Sequence, residues 1–302
     1  MFSCPIVYHH QYEIETDGTS RFPVRKYKEL RSVLEEEGLL QKNNLFIPKP
    51  LGLSTISLAH EISYVERVLN FSLSDNEKRE IGLPNINKFC ERALFSTGGT
   101  FLASKLALNF GVAVNAAGGS HHAKFSRGSG FCIFNDVAIA VKRLLKDKSV
   151  KNVIILDLDV HQGDGTAEIF EQDKRVFTVS IHCEKNFPAK KANSDLDIGL
   201  NAGTGDTGYL DCLSNVLEKI NEIPADLIVY NAGVDVHEDD QLGYLHVSSS
   251  GIKLREKKIV DYVLRNKIPL VVTLGGGYQK IVENLGFLHS IIFKEIEAGF
   301  KN

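Results

Sequence analysis

The chain has 302 residues and a formal net charge of −3 at pH 7, and this balance argues against direct nucleic-acid binding, which needs a basic surface to contact phosphates. Five scattered cysteines without a Cys-x-x-Cys pair argue against a structural zinc knuckle and favour a reducing compartment. Because neither a signal-peptide pattern nor a run of 18 apolar residues is found, we expect a cytoplasmic protein without a membrane span.

The first part of the chain predicts one short strand followed by helices. Apolar spacing and helix-stop signals place these elements, with Gly98-Gly99 as a potential break in the last of them. The predicted elements are a strand at Cys4–Tyr8 and helices at Lys26–Glu37, Ser57–Leu69 and Asn85–Phe110.

From Gly111 onward, strand and helix patterns alternate. Predicted strands are 111–115, 153–156, 176–181, 227–231 and 270–274, and predicted helices are 135–145, 166–172, 209–221, 250–266 and a last one closing the chain. Repeated strand–loop–helix units predict an α/β fold in which a parallel sheet carries helices on both faces. No internal repeat or convincing domain boundary is found, so residues 1–302 are expected to form a single domain.

The central stretch is Lys151–Thr166, in which an apolar strand ends in a cluster of polar groups. Asp157, Asp159 and His161 alternate along the predicted strand end and would share one face. Carboxylates and an imidazole at the carboxyl end of a buried strand occupy the position where open α/β sheets bind ligands. This donor set suits Zn²⁺, Fe²⁺ or Mn²⁺ better than Ca²⁺. The alternative is a solvated turn.

Three other predicted strands also end in unusual residues. His121-His122, Asp235 and the triple glycine before Tyr278 each follow a strand. Taken singly, these could be surface histidines, a turn aspartate and close-packed glycines. Because the carboxyl ends of parallel strands lie at one edge of a sheet, we expect all four segments to meet in one crevice.

The residue types assign roles within this crevice. Asp159, His161 and Asp235 would supply three metal ligands and leave a position open, as a catalytic metal requires. A metal there would lower the pKa of bound water toward about 7 and polarise a carbonyl.

The remaining polar groups suit proton transfer and oxyanion stabilisation. One histidine of the pair His121 and His122 would take the proton of water and give it to a leaving amine. Asp157 and Asp164 would orient the imidazoles, and the hydroxyl of Tyr278 would donate to the oxyanion. The predicted reaction is metal-assisted amide hydrolysis.

Five motifs carry a resemblance to a known family. GGSHHAKFSRGSGFCIFND, LDLDVHQGDGT, TVSIH, NAGVD and LGGGY occur in this order between Tyr8 and Tyr278. Together they resemble the zinc-dependent histone deacetylases on the arginase/deacetylase fold, closest to class IV deacetylases and their bacterial relatives. The resemblance implies about eight strands, Zn²⁺ as cofactor with Fe²⁺ as the in vivo alternative, and His122 as the proton shuttle. It also implies a structural K⁺ near Asp157 and the main chain at Ser180.

The resemblance further assigns a tunnel for an acyl-lysine stem. Arg21 would line an internal cavity behind the metal. An aspartate that family members carry on a rim loop has no clear counterpart around residues 83–85. The aromatic wall residues could alternatively be ordinary core residues. The residues that match the tunnel and its rim are Gly130, Phe131, Phe187, Leu242 and Gly276.

The substrate follows only from the resemblance and stays open at this point. Acyl-lysine in a protein or peptide is the first hypothesis, and a class IV resemblance also implies long fatty acyl groups. A small acylated amine such as a polyamine is the alternative, since the acidic stretch His237–Asp240 would suit a cation. The sequence does not indicate an oligomeric state.

Two other functions compete with this interpretation. A two-manganese ureohydrolase on the same fold would need Asp-x-His-x-Asp, but Asp164 lies one residue too far from His161 for that pattern. A non-catalytic acyl-lysine binding module would be indicated by loss of the histidines or the tyrosine, all of which are present.

Overall fold

A single eight-stranded sheet, entirely parallel, forms the centre of the structure. The computed structural model describes residues 3–15 and 20–301. The strand order is β2-β1-β3-β8-β7-β4-β5-β6. The strands are β1 (Ile6–Val7), β2 (Leu45–Phe46), β3 (Val112–Asn115), β4 (Val153–Asp157), β5 (Val176–Cys183), β6 (Leu196–Leu200), β7 (Leu227–Asn231) and β8 (Leu270–Thr273).

The four central strands are β3, β8, β7 and β4, and every residue in them is buried. Their β-branched, apolar sequences are those expected of parallel strands covered on both faces. In the register between β4 and β7, Asp157 lies opposite Asn231, so the two strands end at the same level. The loops that follow these four strands therefore leave the sheet side by side, although β4 and β7 are far apart in sequence.

The part of the chain that the structure describes contains ten α-helices. On one face α1, α10, α9 and α8 pack in succession, and on the other α5 packs on α6, β3 and β8. Within residues 3–15 and 20–301, none of the helices combines the length and the hydrophobicity that crossing a bilayer requires. The helices are α1 (Lys26–Glu36), α2 (Leu53–Ile56), α3 (Ile62–Leu69), α4 (Asp75–Ile81), α5 (Ile86–Phe110), α6 (Asp136–Lys146), α7 (Asp164–Phe170), α8 (Asp206–Ile220), α9 (Ser249–Asn266) and α10 (Val282–Phe300).

The fold class predicted from the sequence is confirmed, whereas several local elements differ. The predicted helix over 57–69 is wrong over residues 57–61, because α2 ends at Ile56 and α3 begins only at Ile62. Strand β6 lies between the predicted strand 176–181 and the predicted helix 209–221, where the sequence predicts no element. Its partly exposed residues pair with β5 at the edge of the sheet, so it lacks the apolar run of a central strand. The short elements β2 and α4 were also not predicted.

The predicted break at Gly98-Gly99 is wrong, because α5 runs through it without interruption. A Cβ atom on Gly98 would lie 1.9 Å from the carbonyl oxygen of Lys49, and one on Gly99 would lie 2.1 Å from the hydroxyl of Tyr12. The two glycines therefore allow other segments to approach the helix closely, and its tertiary contacts outweigh their low helix propensity.

Candidate active site

Three buried side chains converge at the carboxyl edge of the sheet. Asp159 and His161 follow β4, and Asp235 follows the neighbouring strand β7. His161 Nδ1 lies 3.0 Å from Asp159 Oδ1 and 3.1 Å from Asp235 Oδ2. One ligand atom from each residue lies within 4.8 Å of the others, so the three residues form a group that could hold a metal ion.

The electrostatics of this group fit a cation. Burial and the nearby Asp159 raise the pKa of Asp235. Burial alone would lower the pKa of His161, but its hydrogen bonds to both carboxylates outweigh that effect and raise it. Two buried carboxylates side by side are unfavourable unless a positive charge lies between them. A divalent ion bound by two oxygens and one imidazole nitrogen would satisfy that requirement.

Gly276, in the loop after β8, closes the far side of this group. Its amide donates to Asp159 Oδ2 over 2.7 Å, and its carbonyl accepts from the amide of Val234. A Cβ atom at this position would lie 1.9 Å from Asp235 Oδ2. Only glycine therefore lets the β8 loop reach both carboxylates.

The tandem histidines lie next to the metal-ligand group, and each is held by its own carboxylate. His121 Nδ1 lies 2.6 Å from Asp157 Oδ2, and His122 Nδ1 lies 2.7 Å from Asp164 Oδ1. The two Nε2 atoms face each other at 3.1 Å, and His121 Nε2 lies 3.8 Å from Asp159 Oδ1. Each of these two carboxylates thus holds one of the imidazoles. The predicted alternation of Asp157, Asp159 and His161 along a strand is wrong, because β4 ends at Asp157 and the other two residues lie in the loop that follows.

The environments of the two imidazoles drive their pKa values apart. Burial, followed by the proximity of His121, lowers the pKa of His122 to about 4. Burial also disfavours the charged form of His121, but Asp157 and Asp159 outweigh it and raise the pKa to about 9. Adjacent groups with separated pKa values are the arrangement that general acid–base pairs use.

Tyr278 faces the same group from the β8 loop. Its ring centroid lies 6.2 Å from that of His161. Burial, with Asp159 and Asp235 nearby, raises the pKa of the phenol well above its ordinary value, so the hydroxyl remains a donor. The Tyr278 amide donates to Asp240 Oδ2 over 2.6 Å. Asp240 thereby connects the β7 loop, which carries Asp235, to the β8 loop.

Aromatic rings lie on two sides of the histidine pair. The Phe187 ring meets that of His122 edge-on at 4.8 Å, and 45% of the residue is exposed. Phe131 packs 6.0 Å from Tyr278, and its backbone has a φ of +66°. A Cβ atom on Gly130 would lie 2.7 Å from the His122 ring. At 45% exposure, Phe187 is too exposed to be an ordinary core residue.

Leu242, matched to the tunnel rim, and Arg21, assigned to an internal cavity, have different surroundings. Leu242 is half-buried; its amide donates to Asp240 and its carbonyl accepts from Asn186. Arg21 is exposed, so its predicted position in an internal cavity is wrong. Arg92 of α5 lines such a cavity instead, and only 7% of it is exposed. Together with Phe22 it lines a pocket that also borders Asp159 and Tyr278, which we name the inner pocket.

Sequence reasoning missed several residues that hold the site together. Asn231 Nδ2 donates to Asp157 Oδ1 over 3.0 Å, and Lys124 Nζ lies 3.1 Å from Asp164 Oδ2. Arg255, fully buried on α9, donates to the carbonyl of Gly233 over 2.7 Å. The Asn of NAGVD and the Lys of SHHAK were visible inside the motifs, whereas Arg255 gave no local signal because its partners lie on other elements.

The acidic stretch after Asp235 is only partly free for a ligand. His237 bonds Gln279 and Ser249, and the Asp240 carboxylate accepts three backbone amides. Glu238 and Asp239 are exposed. A second metal of the ureohydrolase type would need further carboxylates, but Asp157 and Asp164 bond the histidines instead. Within residues 3–15 and 20–301, only one group of metal-ligating side chains is found.

The fold and the site together define an α/β protein of the arginase/deacetylase type. Two solved structures share the fold at TM-score 0.78 and 20% sequence identity. One, the HDA15 HD domain, covers 99% of this chain and 91% of its own. The other, an acetylpolyamine aminohydrolase from Burkholderia pseudomallei, covers 98% and 99%. At this identity the likeness establishes the fold alone.

Sequence comparison identifies the family. Residues 20–289 match the family model described as Histone deacetylase domain, so the chain is a hydrolase of the histone deacetylase family. An uncharacterized protein of Picosynechococcus is 41% identical over 291 residues, which are 96% of this chain and 97% of that protein. Histone deacetylase 2 of Arabidopsis thaliana is 29% identical over 290 residues, which are 91% of this chain and 74% of that protein. Human histone deacetylase 1 is 30% identical over 271 residues, which are 82% of this chain and 55% of that protein.

Proposed function

We propose that the chain is a single catalytic domain and a zinc-dependent amidohydrolase that removes acyl groups from lysine side chains. The observation that carries the proposal is the group Asp159, His161 and Asp235, buried beside two carboxylate-bound histidines. Three protein ligands leave a coordination position open, and this donor set favours Zn²⁺, with Fe²⁺ as the alternative. When bound, the ion supplies Lewis acidity that activates water and polarises a carbonyl.

Proton transfer in this proposal belongs to the histidine pair. Asp164 fixes the ring of His122 so that its Nε2 faces the same space as Nε2 of His121. His122 takes the proton from water and passes it to the departing amine, while Asp157 orients His121. General acid–base catalysis of this kind contributes about 10²–10⁴-fold. A structural K⁺ beside Asp157 and the main chain at Ser180 remains part of the proposal, supported by their pairing in the sheet.

Tyr278 and the aromatic walls complete the proposed reaction. The Tyr278 hydroxyl donates a hydrogen bond to the oxyanion, which lowers the activation free energy by about 2.7–4 kcal/mol. Phe131 and Phe187 hold the apolar stem of the lysine, with Gly130 between them leaving room, and Leu242 forms part of the rim. The backbone groups of Gly276 bond within the protein, so we propose that Gly276 contributes close packing at the metal ligands rather than a hydrogen bond to substrate.

The inner pocket supports a preference for short acyl groups. Its volume is about 30 Å³, which holds roughly two water molecules. Arg92, Phe22 and Tyr27 line it together with Asp159 and the Tyr278 segment. A long alkyl chain entering past the metal ligands would meet a buried guanidinium, so we propose acetyl rather than fatty acyl groups. A small acetylated amine is the alternative substrate, supported by the exposed carboxylates of Glu238 and Asp239.

The test is hydrolysis by purified protein supplied with Zn²⁺. The substrates are acetyl-lysine and myristoyl-lysine forms of one peptide and an acetylated polyamine. We expect acetyl-peptide hydrolysis that falls at least about 10²-fold in Tyr278→Phe, with KM little changed. The matched control is Tyr244→Phe, at an exposed tyrosine. The proposal fails if no substrate is cleaved, or if Tyr278→Phe retains full activity.

A further inference from the structure

A second, wider depression lies on the outer side of the Phe131 wall. Its volume is about 550 Å³. Three of its lining residues are cationic and three are apolar, and within the described part of the chain no acidic residue lines it. We name this depression the basic groove, and its defining residues are Arg21, Lys78, Arg79, Leu83, Pro84 and Phe131.

The basic groove is joined directly to the candidate active site. Phe131 lines both the groove and the inner pocket. The backbone also connects them. The amide of Phe131 donates to the carbonyl of Ile81 over 2.8 Å, and the amide of Gly130 donates to the carbonyl of Glu80 over 3.3 Å. The end of α4 and the tunnel wall therefore form one connected structure. A chain bound in the inner pocket beside Phe131 would therefore lie next to the groove.

The cations of the groove are available to a ligand. Lys78 pairs with Asp75 at 3.4 Å, but the Asp75 side chain is 89% exposed, and exposed pairs of this kind contribute little. Arg79 contacts the neutral amide of Asn76. Lys78 also lines an adjoining depression beside Lys88, which extends the positive surface away from the tunnel.

We propose that the basic groove binds the segment next to the acyl-lysine in a polypeptide substrate and selects acidic side chains there. The proposal rests on the proposed function and narrows its substrate class to an acyl-lysine peptide flanked by Asp or Glu. A cationic polyamine is disfavoured at this surface, because like charges repel. The apolar floor at Leu83 and Pro84 accommodates the backbone, and the cations beside it pair with carboxylates.

The experiment compares kcat/KM for three acetyl-lysine peptides of equal length whose flanking residues are acidic, neutral or basic. We expect the acidic peptide to exceed the neutral one by roughly three- to tenfold, mainly through a lower KM, and the basic peptide to be poorer than both. Because exposed charges are screened, the preference should shrink as NaCl rises from about 0.05 to 1 M.

The test variant is Lys78→Ala/Arg79→Ala, which keeps good helix formers on α4. The ratio of acidic to neutral peptide should fall toward one, and the neutral peptide measured in the same preparation reports on folding and chemistry. The control Lys219→Ala/Lys253→Ala removes two exposed cations from α8 and α9 and should retain the preference.

Equal rates on all three peptides would overturn the groove assignment and leave the proposed function standing. The assignment also fails if the control loses the preference as fully as the test variant does, or if an acetylated polyamine is the better substrate. Absence of hydrolysis on every peptide would instead reject the proposed function.

Discussion

His60 lies outside the metal-ligand group but connects the segment after the histidine pair to the start of α6. Its Nε2 accepts a hydrogen bond from the amide of Asn135 over 2.9 Å, and its Nδ1 lies 2.8 Å from the carbonyl of Lys124. Since a carbonyl only accepts, Nδ1 carries the proton and the ring is neutral. Asn135 caps α6, and Lys124 pairs with Asp164. One imidazole thus spans the loop that follows the histidine pair.

This contact predicts a pH-dependent stability. Burial lowers the pKa of His60 from 6.5 to about 4, so below about pH 6.5 the unfolded chain binds a proton that the folded chain excludes. The stability that the neutral His60 ring contributes is fully present above pH 6.5 and is lost as the pH falls toward 4. Between pH 7 and 5 the free energy of unfolding should fall by about 2 kcal/mol for this reason. Urea unfolding at both pH values should show this loss in the wild type and a smaller loss in His60→Gln.

Exposed His246 supplies the matched control. His246→Gln should keep the wild-type difference between pH 7 and 5. The interpretation of His60 is contradicted if His60→Gln and the wild type lose the same stability over this range.

At the scale of elements, the long helix α5 depends on close approach by other segments. Asn115 at the end of β3 lies against Gly99, where a Cβ atom would be 2.6 Å from its Oδ1 and 2.1 Å from the Tyr12 hydroxyl. Asn115 Nδ2 also donates to the carbonyl of Ser96 on the same helix. The helix therefore fits against β3 through polar contacts that leave no space for a methyl group.

The substitution Gly99→Ala tests this packing, because helix propensity predicts a gain in stability whereas steric overlap predicts a loss. In a free helix, alanine is more favourable than glycine by about 1 kcal/mol. Here we expect the clash with Tyr12 and Asn115 to dominate and to destabilise the fold by about 1–3 kcal/mol. Thermal unfolding measures the effect, and a raised Tm would show that the contact is not limiting. Gly208→Ala, on exposed α8 beside the flexible Thr204 side chain, should be neutral or stabilising.

At the scale of the whole molecule, the metal-ligand group joins strands that are separated in sequence. Asp159 and His161 follow β4, while Asp235 follows β7. An ion bound to all three residues binds only the folded chain, so it stabilises the fold by mass action.

Metal addition and removal therefore predict a change in global stability as well as in activity. Zn²⁺ at about 100 times its Kd should stabilise the protein by about 2.7 kcal/mol, which corresponds to roughly 5 °C in Tm for a chain of this size. A chelator should reverse the shift. Asp235→Asn should lose most of it, whereas Asp261→Asn on the exposed face of α9 should retain it. An equal shift in both variants would place the ion elsewhere.

Much of this organisation follows from local sequence. Apolar, β-branched runs identify the central strands, and glycine, histidine and aspartate cluster directly after them, so the parallel sheet and its ligand-bearing edge were predictable. Edge elements were not predictable, because β6 is half-exposed and lacks the pattern of a buried strand. The contribution of Arg255 and the rejection of Arg21 from the inner pocket were likewise hidden, because both depend on partners distant in the chain.

The amino-acid sequence by itself determined the α/β class and which residues are candidates for the chemistry, because strand periodicity and polar strand ends are local properties. Only the tertiary structure decided how those residues are held. The strand order brings β3, β8, β7 and β4 side by side, and Asn231, Asp240 and Arg255 then connect their loops. The surroundings of each group, and with them its charge, its accessibility and the groove beside the tunnel, arise from atoms far apart in the chain that meet only on folding.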